Sequence, residues 1–592
     1  MTHANHSISP AYRLFPFIEW LKGYGASTFR SDAVAGLTVA VVLIPQAMAY
    51  AMLAGLPPVY GLYAASVTPW IAALWGSLRQ MGTGPIAIMS LLVLTTLTPM
   101  AEAGSRQYVE MAVLLAHLIG LIYLLVGILK MGQVMAFISH SAVKGFTAAA
   151  ALIITATQLP HLLGLQVGRH EYIFPMLLEI AEGMTSLHPT TAVIGMFSFA
   201  VIYGLKRMNP NIPAGLIALA LTGSVVYFFN LHEAGVVVVG RVPGGLPHPK
   251  LPLFDMDVGF SLIGPAVVIA LVSFAETYSV GKAISAETKQ KVDVDQEFIG
   301  QGLANLIGSF LQCYPVAGSF SRTAINFSSG AKTGISSVVS SVIVVVALLF
   351  LTPLLTYIPR AALAALVISA VLLLFHPKEV FALWRMNRHD GTVAISVFVL
   401  ALVSKPDYAL LIGVMISLIF FLWKTMHPRI VRITKDPVHN MFVNADLADK
   451  PSCPQILHLR SDNAMYFANA EYTVEHIMQR MQMVDSPLRF LLLDFQAVGF
   501  IDITGIDELR SLNEELRTRQ IRLAMMAVHR PVMEAFERSG FIQEIESVCV
   551  IDTSCLMEHK GEAITRLFNG LDHDYCRDKC PYVLFNECHT VK

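Results

Sequence analysis

Long apolar runs constrain this chain more than any other feature. Windows of about 17 to 25 mostly apolar residues recur from about residue 33 to residue 421, and a helix of that length spans a bilayer. Only 14% of the residues are charged, whereas soluble globular chains carry about a quarter. The sequence therefore predicts a polytopic α-helical membrane protein that is embedded in lipid over most of its length.

We expect about fourteen spans in two runs of seven. The predicted spans are 33–56, 59–77, 84–101, 108–129, 140–163, 189–205 and 213–230, then 262–283, 294–312, 318–330, 333–356, 360–375, 389–403 and 405–423. Because seven is odd, the second run starts from the opposite face and the runs form an inverted repeat. Between the runs, residues 232–260 are rich in Val, Gly and Pro and predict short strands and turns. Lys and Arg are concentrated on the side of both termini, which predicts cytoplasmic termini in a cell membrane.

The third span of each run is interrupted by Gly and Pro, in residues 76–90 and 308–326. A helix that begins in mid-membrane has unpaired N–H groups and about half a positive charge at its start, so two such ends form an anion site. Ser319 and Ser321 are predicted to cap one helix and to donate hydroxyls, and Arg322 to supply a full positive charge. The alternatives are packing hydroxyls and an Arg322 that extends to the membrane interface.

Two other spans carry polar groups at positions where lipid-facing residues are apolar. Pro45 is predicted to interrupt the first span and to let Gln46 and Tyr50, one turn apart, reach a substrate; the alternative is a kinked helix that satisfies its own backbone. Glu276 lies in the middle of the eighth span, where we predict coupling to protons because burial favours the protonated carboxyl. Sodium coordination and a structural pair with Arg322 are the alternatives for Glu276.

The motifs PQAMAYAMLAGLPPVYGLYA (45–64), GTGPIAIMSLL (82–92), HSAVKGFTAAAALI (140–153) and VDVDQEFIGQGLANLIGSFLQCYPVAGSFSRTAIN (292–326) resemble the SulP family of sulfate permeases and anion transporters. The resemblance implies a 7+7 transmembrane inverted repeat with core and gate domains, an elevator-type movement and a homodimer. It also implies an anion site, which maps to Gln46, Tyr50, Ile86, Ala87, Phe274, Glu276, Ser319, Ser321 and Arg322.

We therefore predict a secondary active transporter of small inorganic anions, with sulfate uptake by proton symport as the main hypothesis. Bicarbonate, chloride or dicarboxylate transport, anion exchange, and a membrane-anchored anion sensor are the alternatives. No nucleophile and base arrangement or nucleotide-binding loop is present, so we expect no enzyme activity and no cofactor required for transport. The net charge of −1 gives no basic field for nucleic acid.

Composition predicts five segments, which are a cytoplasmic segment 1–30, the transporter domain 31–425, a linker 426–453, a small α/β domain 454–556 and a tail 557–592. The α/β domain resembles the STAS domain through Tyr466 to Asn469 and Asp494 to Gly505. In signalling relatives a hydroxyl in this loop is phosphorylated, so Thr504 is a candidate regulatory residue. The alternative is a Thr that only caps a helix.

The tail contains several soft ligands within a short stretch. Cys576, Cys580, Cys588 and His589 are predicted to hold zinc or an iron–sulfur cluster, with His573 as a further candidate. Three residues separate the first two cysteines, whereas zinc sites commonly have two. The alternative is an ordinary reduced tail.

Overall fold

A computed structural model describes residues 15–591 except 22, 134–138, 169, 171, 210–211, 253–254, 437–438, 440, 546–549 and 553–559. Half of the predicted N-terminal segment, namely residues 1–14 and 22, lies outside the described residues, as do Cys549 and Cys555. Contacts divide the chain into two units, residues 1–418 and 419–592. The first unit is helical and the second combines a sheet with helices.

Each of the fourteen predicted spans contains a helix in the described chain. The helices of the first run are α2 (Ala26–Leu53), α3 (Pro58–Trp75), α4 (Ala87–Leu97), α5 (Arg106–Ile128), α6 (His140–Leu163), α8 (Pro189–Met208) and α9 (Ala214–Phe228). Those of the second run are α10 (Met256–Thr288), α11 (Val294–Phe310), α12 (Phe320–Ser328), α13 (Ile335–Val346), α15 (Arg360–Val371), α17 (Arg388–Val403) and α18 (Pro406–Met426). A π-helical turn and α14 (Thr352–Leu355) continue α13.

The helices of the first unit pack in two groups. One group comprises α2 to α5 and α10 to α13, and the other comprises α6, α8, α9, α15 and α17. These are the first four spans of each run and helices from the last three spans, so the helices divide into two groups, as expected for a core domain and a gate domain. The 7+7 arrangement of the membrane part is confirmed.

Three shorter helices in the described part of the first unit were not predicted. They are α1 (Phe17–Leu21), α7 (Ile173–Gly183) and α16 (Pro377–Met386). Their sequences are too short or too polar to read as spans, since α7 carries two glutamates and α16 ends in Arg385-Met386. In the described part of residues 232–260, an isolated bridge from Val238 to Pro359 is present where short strands were predicted, and α10 begins six residues before the predicted eighth span.

The start of α2 is held by an aspartate that hydropathy alone does not explain. Asp32 is fully buried, and its carboxylate accepts hydrogen bonds from the backbone N–H groups of Lys332 and Thr333 at 2.7 and 3.0 Å. The hydroxyls of Thr333 and Tyr24 donate to the same carboxylate at 2.6 and 3.0 Å. Asp32 therefore connects the first span to the loop that follows α12.

Close helix contact in the core group depends on Gly61 of α3. A Cβ atom at this position would lie 1.9 Å from the backbone oxygen of Ala47 and 2.5 Å from its carbonyl carbon. Because backbone atoms cannot move aside as a side chain can, we expect Gly61→Ala to destabilise the protein by about 3 kcal/mol, the upper end of overpacking costs. Thermal denaturation of the purified protein in detergent measures this.

The matched control is Gly204→Ala in α8, where a Cβ atom would meet nothing within 4 Å. This substitution removes a glycine from a helix interior without a clash, so it should leave the midpoint unchanged or raise it slightly. Equal midpoints for Gly61→Ala and the wild type would contradict the packing described for α2 and α3.

The second unit is built on a six-stranded sheet. Its strands are β3 (Ile430–Asp436), β4 (Met441–Asn444), β5 (Ile456–Ser461), β6 (Phe490–Asp494), β7 (Arg522–Val528) and β8 (Val550–Asp552), in the order β4-β3-β5-β6-β7-β8. Strand β3 pairs antiparallel with β4 and β5, and the other pairs are parallel. The helices are α19 (Ala445–Ala448), α20 (Ala470–Gln482), α21 (Ile503–Thr518), α22 (Arg530–Arg538), α23 (Lys560–Phe568) and α24 (His573–Asp578). The predicted small α/β domain is present.

The segments predicted to flank this domain are part of it. The stretch 426–453 was predicted as a linker, but it contributes β3 and β4, which form one edge of the sheet. The tail packs on the same core through apolar side chains, namely Ile564, Leu567, Phe568, Leu571, Leu584 and Phe585. Both segments carry charged residues between short apolar runs, so hydropathy did not assign them to the α/β domain.

Candidate anion-binding site

The two interrupted spans meet through a two-stranded sheet. Strand β1 (Thr83–Gly84) directly precedes α4, and strand β2 (Ala317–Gly318) directly precedes α12. The strands pair antiparallel, with Thr83 opposite Gly318 and Gly84 opposite Ala317. This pairing places the N-terminal ends of two short helices close together inside the first unit.

Polar side chains of neighbouring helices hold both strands. On α11, Gln301 donates to the Thr83 hydroxyl at 2.8 Å, and Asn305 exchanges two hydrogen bonds with the backbone of Val316 at 2.9 and 3.0 Å. Gln301 and Asn305 are four residues apart and so share one helix face. On α10, the hydroxyl of Thr277 accepts from the N–H of Gly318 at 3.0 Å. The backbone around the two helix starts is therefore fixed from both sides.

Arg322 lies at this junction with only 1% of its side chain exposed. Its Nη1 donates to the carbonyl of Pro85 at 2.8 Å, which joins α12 to the start of α4. Its Nε and Nη2 are buried and have no hydrogen-bond partner among the described residues. Buried donors are almost always satisfied, so two such N–H groups of a buried cation make this position a candidate site for an anion. The burial also excludes the alternative in which Arg322 extends to the membrane interface.

The two helix starts differ in how they are capped. The N-cap of α4 is Ile86, whose side chain offers no cap, so the first N–H groups of α4 remain available. Ser319 is the N-cap of α12, and its hydroxyl accepts from the N–H of Arg322 at 3.4 Å. Ile86, Ala87 and Ser319 are buried, whereas Ser321 is exposed, with its hydroxyl 3.5 Å from that of Ser319.

Helix α2 brings Gln46 and Tyr50 to the same region. Both side chains are buried, and Tyr50 lies within electrostatic range of Arg322. None of the residues that the structure describes forms a hydrogen bond with Gln46 Oε1. The prediction that Pro45 interrupts this span is wrong, because α2 continues through Pro45 from Ala26 to Leu53. Proline removes one backbone bond without ending the helix here, and neighbouring helices pack on both sides.

Glu276 and Phe274 on α10 have different surroundings. Glu276 is partly buried, its Oε2 forms no hydrogen bond with any described residue, and Arg322 is within electrostatic range. In a structural ion pair the Glu276 carboxylate would accept hydrogen bonds from the Arg322 guanidinium. Here Glu276 Oε2 and two nitrogens of Arg322 have no such partner among the described residues. Phe274 is fully buried and stacks on Phe298, with ring centroids 3.3 Å apart, while Tyr123 packs edge-on against both rings. In these contacts Phe274 packs against side chains of neighbouring helices.

One residue near Arg322 was missed by the sequence analysis. Tyr314 is almost fully buried, forms a 3.2 Å hydrogen bond with Ser90 of α4 and lies within electrostatic range of Arg322. It belongs to the same CYPVAGSFSR stretch that predicted Ser319, Ser321 and Arg322. Tyr314 could have been identified from the sequence as a polar aromatic residue next to an interrupted span.

A cavity of about 600 Å³ lies elsewhere in the first unit. It is lined mostly by apolar residues of α2, α4, α6 and α7, and none of the predicted site residues lines it. The candidate site is therefore identified by the buried guanidinium of Arg322 and not by the size of a cavity.

The remaining predicted residues lie in the second unit. Thr504 is exposed on the first turn of α21, and Asp502 rather than Thr504 is the N-cap, since its carboxylate accepts from the N–H of Gly505 at 2.8 Å. The alternative of Thr504 as a capping residue is wrong, and its phosphorylation stays a prediction. His589 is exposed, while Cys576 is buried.

Comparison with known families gives the identity of both units. The model of the sulfate permease family matches residues 29–397. The chain belongs to the sulfate permease family. The STAS domain model matches residues 448–554, so this family member carries a STAS domain after its membrane part.

Relatives match nearly the whole length of this family member. Sulfate transporter 4.1, chloroplastic, from Arabidopsis thaliana is 33% identical over 549 residues, which cover 90% of this chain and 80% of that relative. High affinity sulfate transporter 1 from Stylosanthes hamata is 30% identical over 556 residues, covering 90% and 83%.

Two solved structures have the same fold. The murine Solute Carrier 26 family member A9 anion transporter in the inward-facing state matches with a TM-score of 0.84 and 23% identity, over 93% of this chain and 94% of that chain. The transmembrane domain of the cyanobacterium bicarbonate transporter BicA matches with a TM-score of 0.58 and 20% identity, over 67% and 98%. These structures establish a multi-pass helical membrane part.

Proposed function

We propose that this protein takes up sulfate across the cytoplasmic membrane by proton symport, with an elevator-type movement of the core group of helices. The observation that carries the proposal is the buried guanidinium of Arg322, whose Nε and Nη2 have no hydrogen-bond partner in the described part of the chain. Family membership and the names of the relatives support sulfate as the anion.

Charge balance supports a divalent oxyanion. Sulfate carries two negative charges, and Arg322 supplies one positive charge. The starts of α4 and α12 contribute about half a positive charge each, so the site offers about two in total. Tetrahedral oxygens can accept from the free N–H groups of Arg322 and from the uncapped first turn of α4. Gln46, Tyr50 and the serine hydroxyls add neutral donors.

Proton coupling follows from the position of Glu276. An ionised carboxylate within electrostatic range of Arg322 would cancel positive charge that the sulfate needs. Protonation of Glu276 removes this competition, so sulfate binding and proton binding favour each other. Sulfate and one proton together carry one net negative charge, so they cross with less charge movement than sulfate alone.

Several features complete the proposal. We place both termini in the cytoplasm, assign the assembly as a homodimer, and expect no enzyme activity, no nucleic-acid partner and no cofactor required for transport. The positive-inside pattern and the family resemblance support the orientation and the dimer. Thr504 is exposed on α21 and therefore accessible to a kinase, which supports a regulatory role for the STAS domain.

Uptake of radiolabelled sulfate into proteoliposomes tests the function. We expect sulfate to accumulate under an inward proton gradient and to stop accumulating when a protonophore removes the gradient. Unlabelled sulfate should compete, whereas equal concentrations of bicarbonate, chloride or oxalate should compete at least roughly tenfold more weakly, a difference of about 1.4 kcal/mol. Stronger competition by one of these anions would replace sulfate as the substrate, and saturable binding without flux would identify a sensor.

A further inference from the structure

Four cysteines line one small cavity in the second unit. Cys453 lies just before β5, whereas Cys576, Cys580 and Cys588 come from the end of the chain. The cavity has a volume of about 20 Å³, and its other lining residues are Leu571, Tyr582, Leu584 and Phe585. In the described part of the chain, Cys453, Cys576 and Cys588 form no disulfide. The fold thus gathers thiols that are more than a hundred residues apart in sequence.

Gln455 fixes the two chain segments that carry these cysteines. Its side chain exchanges hydrogen bonds with the backbone of Asp572, donating at 2.9 Å and accepting at 2.8 Å. The same Nε2 atom donates to Cys576 Sγ at 3.2 Å. Gln455 is almost fully buried, so these bonds hold the start of α24 next to Cys453. The juxtaposition of the thiols is therefore built into the domain.

The sulfur atoms receive hydrogen bonds that stabilise thiolates. The backbone N–H groups of Gln455 and Ile456 interact with Cys453, and Gln455 Nε2 serves Cys576. Thiolates in this apolar cavity require a positive ion to balance their charge.

We propose that Cys453, Cys576, Cys580 and Cys588 bind one zinc ion as a structural site. Four sulfur ligands in tetrahedral arrangement, at about 2.3 Å from the metal, are a common structural zinc site. A cavity of about 20 Å³ suits one ion, whereas a four-iron cluster needs more space. Cys453 takes the place that the sequence analysis gave to His589, which is exposed and does not line the cavity.

Binding requires local rearrangement. Among the described residues, no three His, Cys, Asp or Glu side chains are already arranged as ligands of one ion. The cysteine side chains therefore turn into the cavity as the ion enters, and the thiol protons are released to solvent. The expected consequence is that zinc affinity falls as pH falls, because protons compete with the metal for sulfur. A bound ion would link the tail, through its three cysteines, to Cys453 at the start of β5.

Metal analysis of the full-length protein tests the site. The protein is purified in detergent with reductant and without chelator, and zinc, iron and sulfide are measured per chain. We expect about one zinc per chain and no stoichiometric iron. Cys453→Ser should weaken zinc binding at least roughly tenfold. Cobalt substitution should give a sulfur-to-cobalt charge-transfer band that is weaker in Cys453→Ser, which has one sulfur ligand fewer.

Two matched variants separate the ligand sets. His589→Ala should retain zinc, because His589 is outside the cavity, and Cys313→Ser in the first unit should also retain it. Loss of zinc in His589→Ala, or a zinc affinity of Cys453→Ser equal to that of the wild type in competition with a chelator, would overturn the four-cysteine assignment. Metal-free wild-type protein, or iron with sulfide in place of zinc, would overturn the zinc site. These readouts do not depend on which anion the membrane part carries.

Discussion

Arg322→Ala is expected to abolish saturable sulfate uptake at concentrations that saturate the wild type. The substitution removes the buried cation and leaves Pro85 O without its donor. Loss of one partner from a buried, hydrogen-bonded charge pair costs about 2–5 kcal/mol, which corresponds to a Kd at least roughly 30-fold higher. Arg322→Lys keeps the charge but loses the planar group of donors, so it should bind sulfate with intermediate affinity.

Binding of sulfate to detergent-solubilised protein and uptake into proteoliposomes measure the effect separately. Arg360→Ala is the control, because Arg360 is exposed at the start of α15 and uses its backbone N–H to contact Val237. The thermal midpoint of each variant shows whether the fold persists. A folded Arg322→Ala protein with unchanged sulfate affinity would remove the basis of the site assignment.

The membrane fold was accessible from the sequence because apolar length and Gly or Pro interruptions are local properties. Windows of apolar residues gave fourteen helices, and the two interrupted spans gave the starts of α4 and α12. Ser319 and Arg322 could be placed at a helix start because capping residues and buried charges have few other roles. These features depend on a residue and its immediate neighbours along the chain.

Features that depend on distant residues could not be predicted in this way. The pairing of β1 with β2, the hydrogen bond from Tyr314 to Ser90 and the stacking of Phe274 on Phe298 each join separate spans. Cys453 reaches the other cysteines only because β5 runs beside the packed tail. The break predicted at Pro45 was wrong for the same reason, because the surrounding helices allow α2 to continue through Pro45.

Glu276→Gln is expected to uncouple sulfate transport from protons. Glutamine resembles the protonated carboxyl in size and charge, so the positive charge of Arg322 stays available and sulfate still binds. The substituted side chain cannot release a proton on the cytoplasmic side, so a proton gradient can no longer drive accumulation. We expect at least a tenfold loss of gradient-driven accumulation, with exchange of internal for external sulfate retained.

Counterflow and gradient-driven uptake in the same proteoliposomes distinguish these two activities. Glu287→Gln is the matched control, because Glu287 is exposed near the end of the same helix α10 and should leave both activities unchanged. If Glu276 were instead needed only to hold Arg322 in place, Glu276→Gln would lower exchange and gradient-driven uptake by the same factor. Retained proton-driven accumulation would assign coupling to another group, and stimulation by a sodium gradient in the wild type would assign it to another ion.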